Sequence, residues 1–501
     1  MEEDNNMKKL FLVSTIILGL ATTSCDSYLD INQDPNSPAE KDVTSSMLLP
    51  AAEMNLADSY GNYLRIVGGY LSQHYAQYFG TSNYIDYSQF EMKATRSSGC
   101  YTQLNSRALK SLESIRQKSE ASEEWGTYLA ATTLRAFIYQ TLVDAFGEVP
   151  YTEAMDASIT APKYDEGADI YAGILAELDE ALAKVSPTDA VAQSFLFPGQ
   201  NASAWIQFAK ALKLKILTRE SGVASVDSQI GALVSENDFP AGDVAFAGCW
   251  ANEQYQANPF YSEELSPWKS QDNVIANLAV VGTMQTSAYT DPRLAAWFKP
   301  NDKGEYNGGI SGTNFSTSSA YKAAYWNRPA DQYNTPVQLL SRAEVEFFIA
   351  EYYAKQSNAA QAQAHYNAAI EASFATAGVA GADACIAQYP YDQSKWKEVI
   401  GIAKWVALAG INGYESWCEM RRLDYPAFSE TNDKAFYDGE KDSSYNPGAY
   451  KAGTLYTPYQ VYGPVGAGKL LERWPYAESS SARNSNTPDF KGYLVPVFWA
   501  N

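Results

Sequence analysis

Histidine is nearly missing: 501 residues contain two, His74 and His365. Any Ser-His-Asp relay, Cys-His pair or histidine-rich metal site would have to use one of them. Both lie in helix-like patterns beside aromatics, which predicts packed or half-exposed helical side chains. Cysteine is also sparse, with five residues, no C-x-x-C and no short spacing, which argues against zinc. No spacing of acids demands calcium. Basic residues are outnumbered, 37 against 58 acids, for a formal charge of −21. A chain this acidic does not track a phosphate backbone, and it gains nothing by lying flat on anionic lipid. Apolar runs are short as well. The most prominent, Leu10–Leu20, has eleven residues, where a spanning helix needs roughly 20.

That short run sits in MKKLFLVSTIILGLATTSCD, residues 7–26. Lys8 and Lys9 precede it, and small residues from Ala21 to Ser24 lead to Cys25, which is how an export signal is built. The acids ahead of Met7 make Met7 the expected start. Cys25 stands where a bacterial lipoprotein signal places its acylated thiol, although Thr22 occupies the usual leucine position. The expected organisation is a lipoprotein signal peptide over residues 1–24, an extended tether over 25–45 and one large domain over 46–501. Several acyl chains would hold the protein stably, so membrane contact is expected through the N-terminal lipid only. Cys100, Cys249, Cys385 and Cys418 remain. Export permits disulfides, and free buried thiols are the alternative.

The domain reads as all-α dominated. Trp205, Phe208, Leu212, Lys215 and Ile216 follow helical spacing behind a candidate N-cap, Asn201, and Ile170, Ile174, Leu178 and Leu182 repeat the pattern. In SRAEVEFFIAEYYAKQSNAAQAQAHYNAAIEASF, Ala350, Tyr353, Ala362, Tyr366 and Ala369 fall at the spacings of a tetratricopeptide hairpin. A helical scaffold is thus expected over about 46–237 and 341–420. Proline and glycine punctuate about 238–335 and 427–501, which predicts a loop-rich lobe lying over the scaffold surface.

Tyrosine is abundant, 36 residues against 20 Phe, with 11 Trp. Exposed Tyr and Trp rings stack on the C–H face of a sugar while their O–H or N–H groups remain available. Tyr84, Tyr87, Trp250, Trp268, Tyr321, Tyr325 and Trp326 lie in loop-like sequence and are the candidate platform. Arg328, with Asn327 and Asp331, would supply hydroxyl partners. Trp125, Trp205, Trp396, Trp405 and Trp417 lie on helical patterns and are expected in the core. The segment GPVGAGKL at 463–470 imitates a phosphate loop but has Leu470 where magnesium needs a hydroxyl. Adjacent acids such as Glu263 and Glu264 diverge rather than face one another as a glycosidase pair does.

Taken in order, LRAFIYQTLVDAFGEVPYTEA (134–154), WIQFAKALKLKILTR (205–219), DPRLAAWF (291–298), SRAEVEFFIAEYYA (341–354), GYESWCEMRRLDYP (413–426) and the segment around Arg473, Pro475, Tyr476 and Asn484 resemble the SusD/RagB family of nutrient-binding outer-membrane lipoproteins. That resemblance implies a tetratricopeptide-bearing helical superhelix, no enzymatic activity and no cofactor. It implies a partner, a SusC-like TonB-dependent transporter, to which a glycan or oligosaccharide is delivered. Asp26 beside Cys25 agrees with display on the outer surface. A peptide-binding member of the same architecture, a helical-repeat envelope scaffold and an exported glycosidase are the alternatives.

Overall fold

The computed structural model describes residues 43–78, 80–199, 201–312, 327–430 and 447–500. Cys25, the signal segment, Tyr321, Tyr325 and Trp326 lie outside them. Helices dominate: α1 (Ser45–Asp58), α2 (Arg65–Leu71), α3 (Ala94–Tyr101), α4 (Lys110–Ala121), α5 (Trp125–Phe146), α6 (Gly167–Lys184), α7 (Ala202–Glu220), α8 (Asp227–Glu236), α9 (Leu278–Met284), α10 (Arg342–Lys355), α11 (Ala359–Ala377), α12 (Trp396–Leu408) and α13 (Gly413–Leu423). No described helix is long and apolar enough to cross a membrane. Strands are short and pair in twos. Tyr75–Gln77 runs antiparallel to Val274–Ala276, and Val244–Phe246 antiparallel to Val337–Leu340.

Local chemistry sets several helix boundaries. Asn201 Oδ1 accepts from Ser203 N at 3.1 Å, as its position ahead of α7 predicts. Ser341 and Glu344 form a reciprocal capping box at the start of α10, and Asn358 and Asn412 cap α11 and α13. Helix α5 is buried from Gly126 to Phe146, with α4, α6 and α7 packed around it. A helix apolar on every side belongs at the centre of its layer. The expected hairpin forms from α10 and α11, where Phe347, Ala350, Tyr366 and Ala369 share one apolar cluster. Helices α2 and α13 cross at glycine: a Cβ on Gly68 would lie 2.2 Å from Tyr414 N, and one on Gly413 2.3 Å from Gly69 N.

Two expectations change. The C-terminal segment does not merely cover the scaffold, because Tyr456, Leu471, Trp474, Val497 and Trp499 are buried within it. Irregular backbone is tolerated there because helix groups satisfy it. Trp474 N donates to Ala145 O at 2.8 Å, and Trp417 Nε1 donates to Leu471 O at 2.8 Å. His74, in turn, is not helical. Gln73 adopts φ +55 after α2, which breaks the helix and sends His74 into the turn before the first strand.

His74 is fully packed and its chemistry is fixed. Nε2 lies 3.0 Å from Trp405 O, and a carbonyl only accepts, so Nε2 carries the proton while Nδ1 has no partner. Burial lowers its pKa to about 3 from 6.5. Between those values the unfolded chain binds a proton that the folded chain refuses, so His74 lowers stability as pH falls through that window. The expected outcome is an imidazole NMR signal for His74 that stays fixed from about pH 8 to about pH 5. A step near the ordinary histidine value would contradict this packing. His365, on α11, is half-buried, with Nδ1 2.7 Å from Glu346 Oε2.

Candidate functional site

Two stretches far apart in sequence, residues 54–62 and 250–270, meet at one open groove of ≈ 530 Å³. Met54, Asp58 and Asn62 come from the end of α1 and the π-helical turn Ser59–Leu64 that continues it. Trp250, Gln254, Tyr255 and Pro259 come from the loop after Val244–Phe246. Ser262 and Glu263 lie on a second π-helical turn, Tyr261–Leu265, and Trp268, Lys269 and Ser270 follow. Wider π turns recur at functional sites because they push side chains out of helical register. Here two such turns face the same space.

The groove's rings are held in different ways. Trp250 is half-buried, and its Nε1–H donates to Phe246 O at 3.0 Å, which fixes the indole against the body. Trp268 packs edge-on to Tyr261, centroids 6.2 Å apart. Tyr255 is 90% exposed, the extreme among large apolar side chains described, and takes φ +68. A non-glycine residue at positive φ is strained, and an aromatic one held fully in solvent has no packing reason to be there. Asn62 Oδ1, Ser262 Oγ and Trp268 Nε1, all on groove residues, have no hydrogen-bond partner within the protein. These three atoms are themselves buried, so they are unfilled polar capacity in the groove wall rather than surface contacts, and the accessible polar groups of the groove include those of Asp58, Glu263 and Ser270.

Beneath this surface the second π turn is anchored by Glu264. It accepts from Tyr84 OH at 2.8 Å and lies 3.4 Å from Asn273 Nδ2, and burial raises its pKa to about 7. Tyr84 and Tyr87 therefore belong to the core and not to a platform. Their rings stack at 5.6 Å, and Tyr87 is 2% exposed. They read as loop residues because only a short helix, Ile85–Ser88, separates them from neighbouring turns. Asn327 is likewise buried. Its side chain accepts from Asn307 N and Gly308 N and donates to Lys299 O and Glu305 O, so it organises a loop. Asp331 is committed to Arg65 through paired bonds of 2.8 and 2.9 Å. Arg328 does not line the groove; it lies 2.9 Å from Asp272, which also faces the lining residue Lys269 at 3.6 Å.

Of the predicted platform, Trp250 and Trp268 are thus brought together. Tyr255 was missed; its one sequence signal is a lone aromatic among polar residues in ANEQYQANP. Asp58 and Asn62 carried no signal, since SYGNYL reads as ordinary helix. Of the five tryptophans expected in the core, Trp205, Trp405 and Trp417 are below 2% exposure, whereas Trp125 and Trp396, each at the first turn of its helix, are only half-buried. Cys100, Cys385 and Cys418 are buried and Cys249 half-buried, all as free thiols. A second cavity of ≈ 280 Å³ is lined by Met284, Ile370, Ile402 and Val406 together with Tyr366, Tyr389 and the buried Asp291–Arg293 pair.

Residues conserved in the resemblance near the C-terminus are structural here. Arg473 (3.1 Å) and Tyr476 (2.6 Å) bond Glu148, where Lys491 also pairs, and Asn484 donates to Pro162 O at 2.7 Å.

Comparison with known proteins agrees with this architecture. No curated protein matches the chain. Among solved structures, a SusD homologue from Bacteroides uniformis aligns with TM-score 0.70 at 21% identity, covering 91% of this chain and 99% of that one. A SusD-like protein from Bacteroides thetaiotaomicron gives 0.67 at 21%, covering 88% and 93%. A chitin-binding SusD homologue from Flavobacterium johnsoniae gives 0.68 at 20%, covering 90% and 98%. Residues 35–445 match the SusD-like family model described as "Starch-binding associating with outer membrane". The chain belongs to this SusD-like family.

Proposed function

We propose that this protein is a lipid-anchored, surface-displayed binding protein that captures a glycan between Trp250, Tyr255 and Trp268 and delivers it to a SusC-like TonB-dependent transporter. The observation that carries this reading is the convergence of those three rings on one groove with unsatisfied polar atoms around it. Pyranose faces stack on the rings, and hydroxyls reach Asp58 and Glu263. On this reading the protein captures its ligand without cleaving it, as the family resemblance implies. Relatives described as chitin-binding support a glycan as the cargo class. Cys25 is the acylation site, residues 25–45 are the tether, and Asp26 favours the outer leaflet. Arg328, Tyr321, Tyr325 and Trp326 are proposed additions.

Affinity electrophoresis through gels containing starch, chitin-derived or mannan polysaccharides tests the reading. The expected result is retarded migration with no product released. Release of reducing ends would make the protein a hydrolase, and free migration through every gel would shift the reading to a peptide ligand.

A further inference from the structure

Three charged residues line the groove, and their surroundings differ. Lys269 Nζ lies 3.6 Å from Asp272, and Arg328 lies 2.9 Å from the same carboxylate, so the two cations share a single acid of the protein. Asp58 takes a hydrogen bond of 2.6 Å from the neutral amide of Gln103, which leaves its charge in place. Glu263 is exposed and has no ion pair among the described residues.

We infer that the groove selects glycans free of carboxylate and sulfate groups and rejects polyuronates and sulfated chains. This rests on the glycan-binding reading above and adds the charge class of the cargo. The formal charge of −21 is spread over the whole chain, and at physiological salt a charge is felt only within about 8 Å. What acts on a sugar stacked against Trp250 and Trp268 is therefore the local set of charges, in which Asp58 and Glu263 outnumber Lys269. Carboxylates accept charge-assisted bonds from neutral sugar hydroxyls, which are stronger than neutral ones. The same oxygens repel a carboxylate or sulfate brought to that position. Attraction and rejection thus come from the same two side chains; Asp272 is one carboxylate between two cations, so Lys269, Arg328 and Asp272 offset one of the two negative charges and one net negative charge remains.

The test uses one glycan in two charge states. The hexose polymer retained best by the full chain is oxidised at its C6 hydroxyls to carboxylates, and both forms are measured by calorimetry on wild type, Asp58→Asn, Glu263→Gln and the double variant. The expected result is binding of the oxidised form weaker by roughly fivefold or more in wild type, a gap that narrows in high salt and largely closes in the double variant. Equal binding of both forms by wild type would overturn the inference, as would a gap unchanged in the double variant. Retention of heparin or polygalacturonate with no neutral polymer retained would also overturn it while leaving the groove a glycan site. Failure of every polymer, neutral or anionic, would instead refute the glycan reading itself.

Discussion

Replacing Trp250 and Trp268 together by alanine is expected to abolish retention by any polysaccharide that slows the wild type. Each indole offers a large ring face, and a stacked aromatic contact adds about 0.5–1.5 kcal/mol beyond the area it buries. With the lost area included, each substitution should weaken binding by at least about tenfold, and the pair by about a hundredfold. The two are separable from fold damage. Trp250 is half-buried against the core, so its loss also costs some stability, whereas Tyr255 is 90% exposed. Tyr255→Ala is therefore the discriminating companion: it should weaken binding without lowering the thermal midpoint. Unchanged retention in the double tryptophan variant would remove the groove from consideration as the capture site.

Glu415→Leu is expected to cause the largest loss of stability. Glu415, on α13, is 1% exposed and meets Lys215 Nζ at 2.8 Å and Arg219 Nη2 at 2.5 Å, both from α7 and themselves buried. Arg219 continues to Glu419 at 3.2 Å, Glu419 to Lys404 at 2.8 Å and Arg422 at 2.7 Å, and Arg422 to Glu351 at 2.6 Å. Helices α7, α10, α12 and α13 are thus joined through one chain of buried charges. Burial works to lower the pKa of Lys215, and Glu415 together with Tyr60 and Glu344 outweighs it, so the net direction is upward and the amine stays charged. Removing Glu415 leaves two buried cations facing leucine, a change of the kind that costs about 3–5 kcal/mol. For a chain of this size that lowers the melting midpoint by on the order of 4 °C. Glu180→Gln, which breaks an exposed pair with Lys184, is the control and should leave the midpoint unchanged. A Glu415→Leu variant as stable as wild type would show that the network contributes packing rather than charge pairing.

Helical periodicity, cap residues and breakers made much of the scaffold legible, because those signals are local. Asn201, Ser341 and the α10–α11 hairpin fall where their residues place them, and the described residues of the proline- and glycine-rich middle hold only short elements. Lys215 is instructive: it sits on an apolar stripe, which looks like an error in sequence and is explained by a carboxylate 200 positions later in the chain. The same limit governed the site. Tyr84 and Trp268 both occupy loop-like sequence, yet one hydrogen-bonds to a buried glutamate and the other borders open space. Exposure of a ring depends on what packs over it, and nothing within a short window encodes that.

By itself the sequence determined the helical class, the family and the scarcity of histidine that argues against most nucleophilic and metal chemistry. Its local pattern also set the helix ends, since caps and periodicity act within a few residues. Only the tertiary structure decided that Trp250, Tyr255 and Trp268 share a groove and that Tyr84, Tyr87 and Asn327 do not. It alone sent the C-terminal tryptophans inward. Those outcomes depend on contacts between residues hundreds of positions apart, where burial and charge compensation are settled by the packed whole.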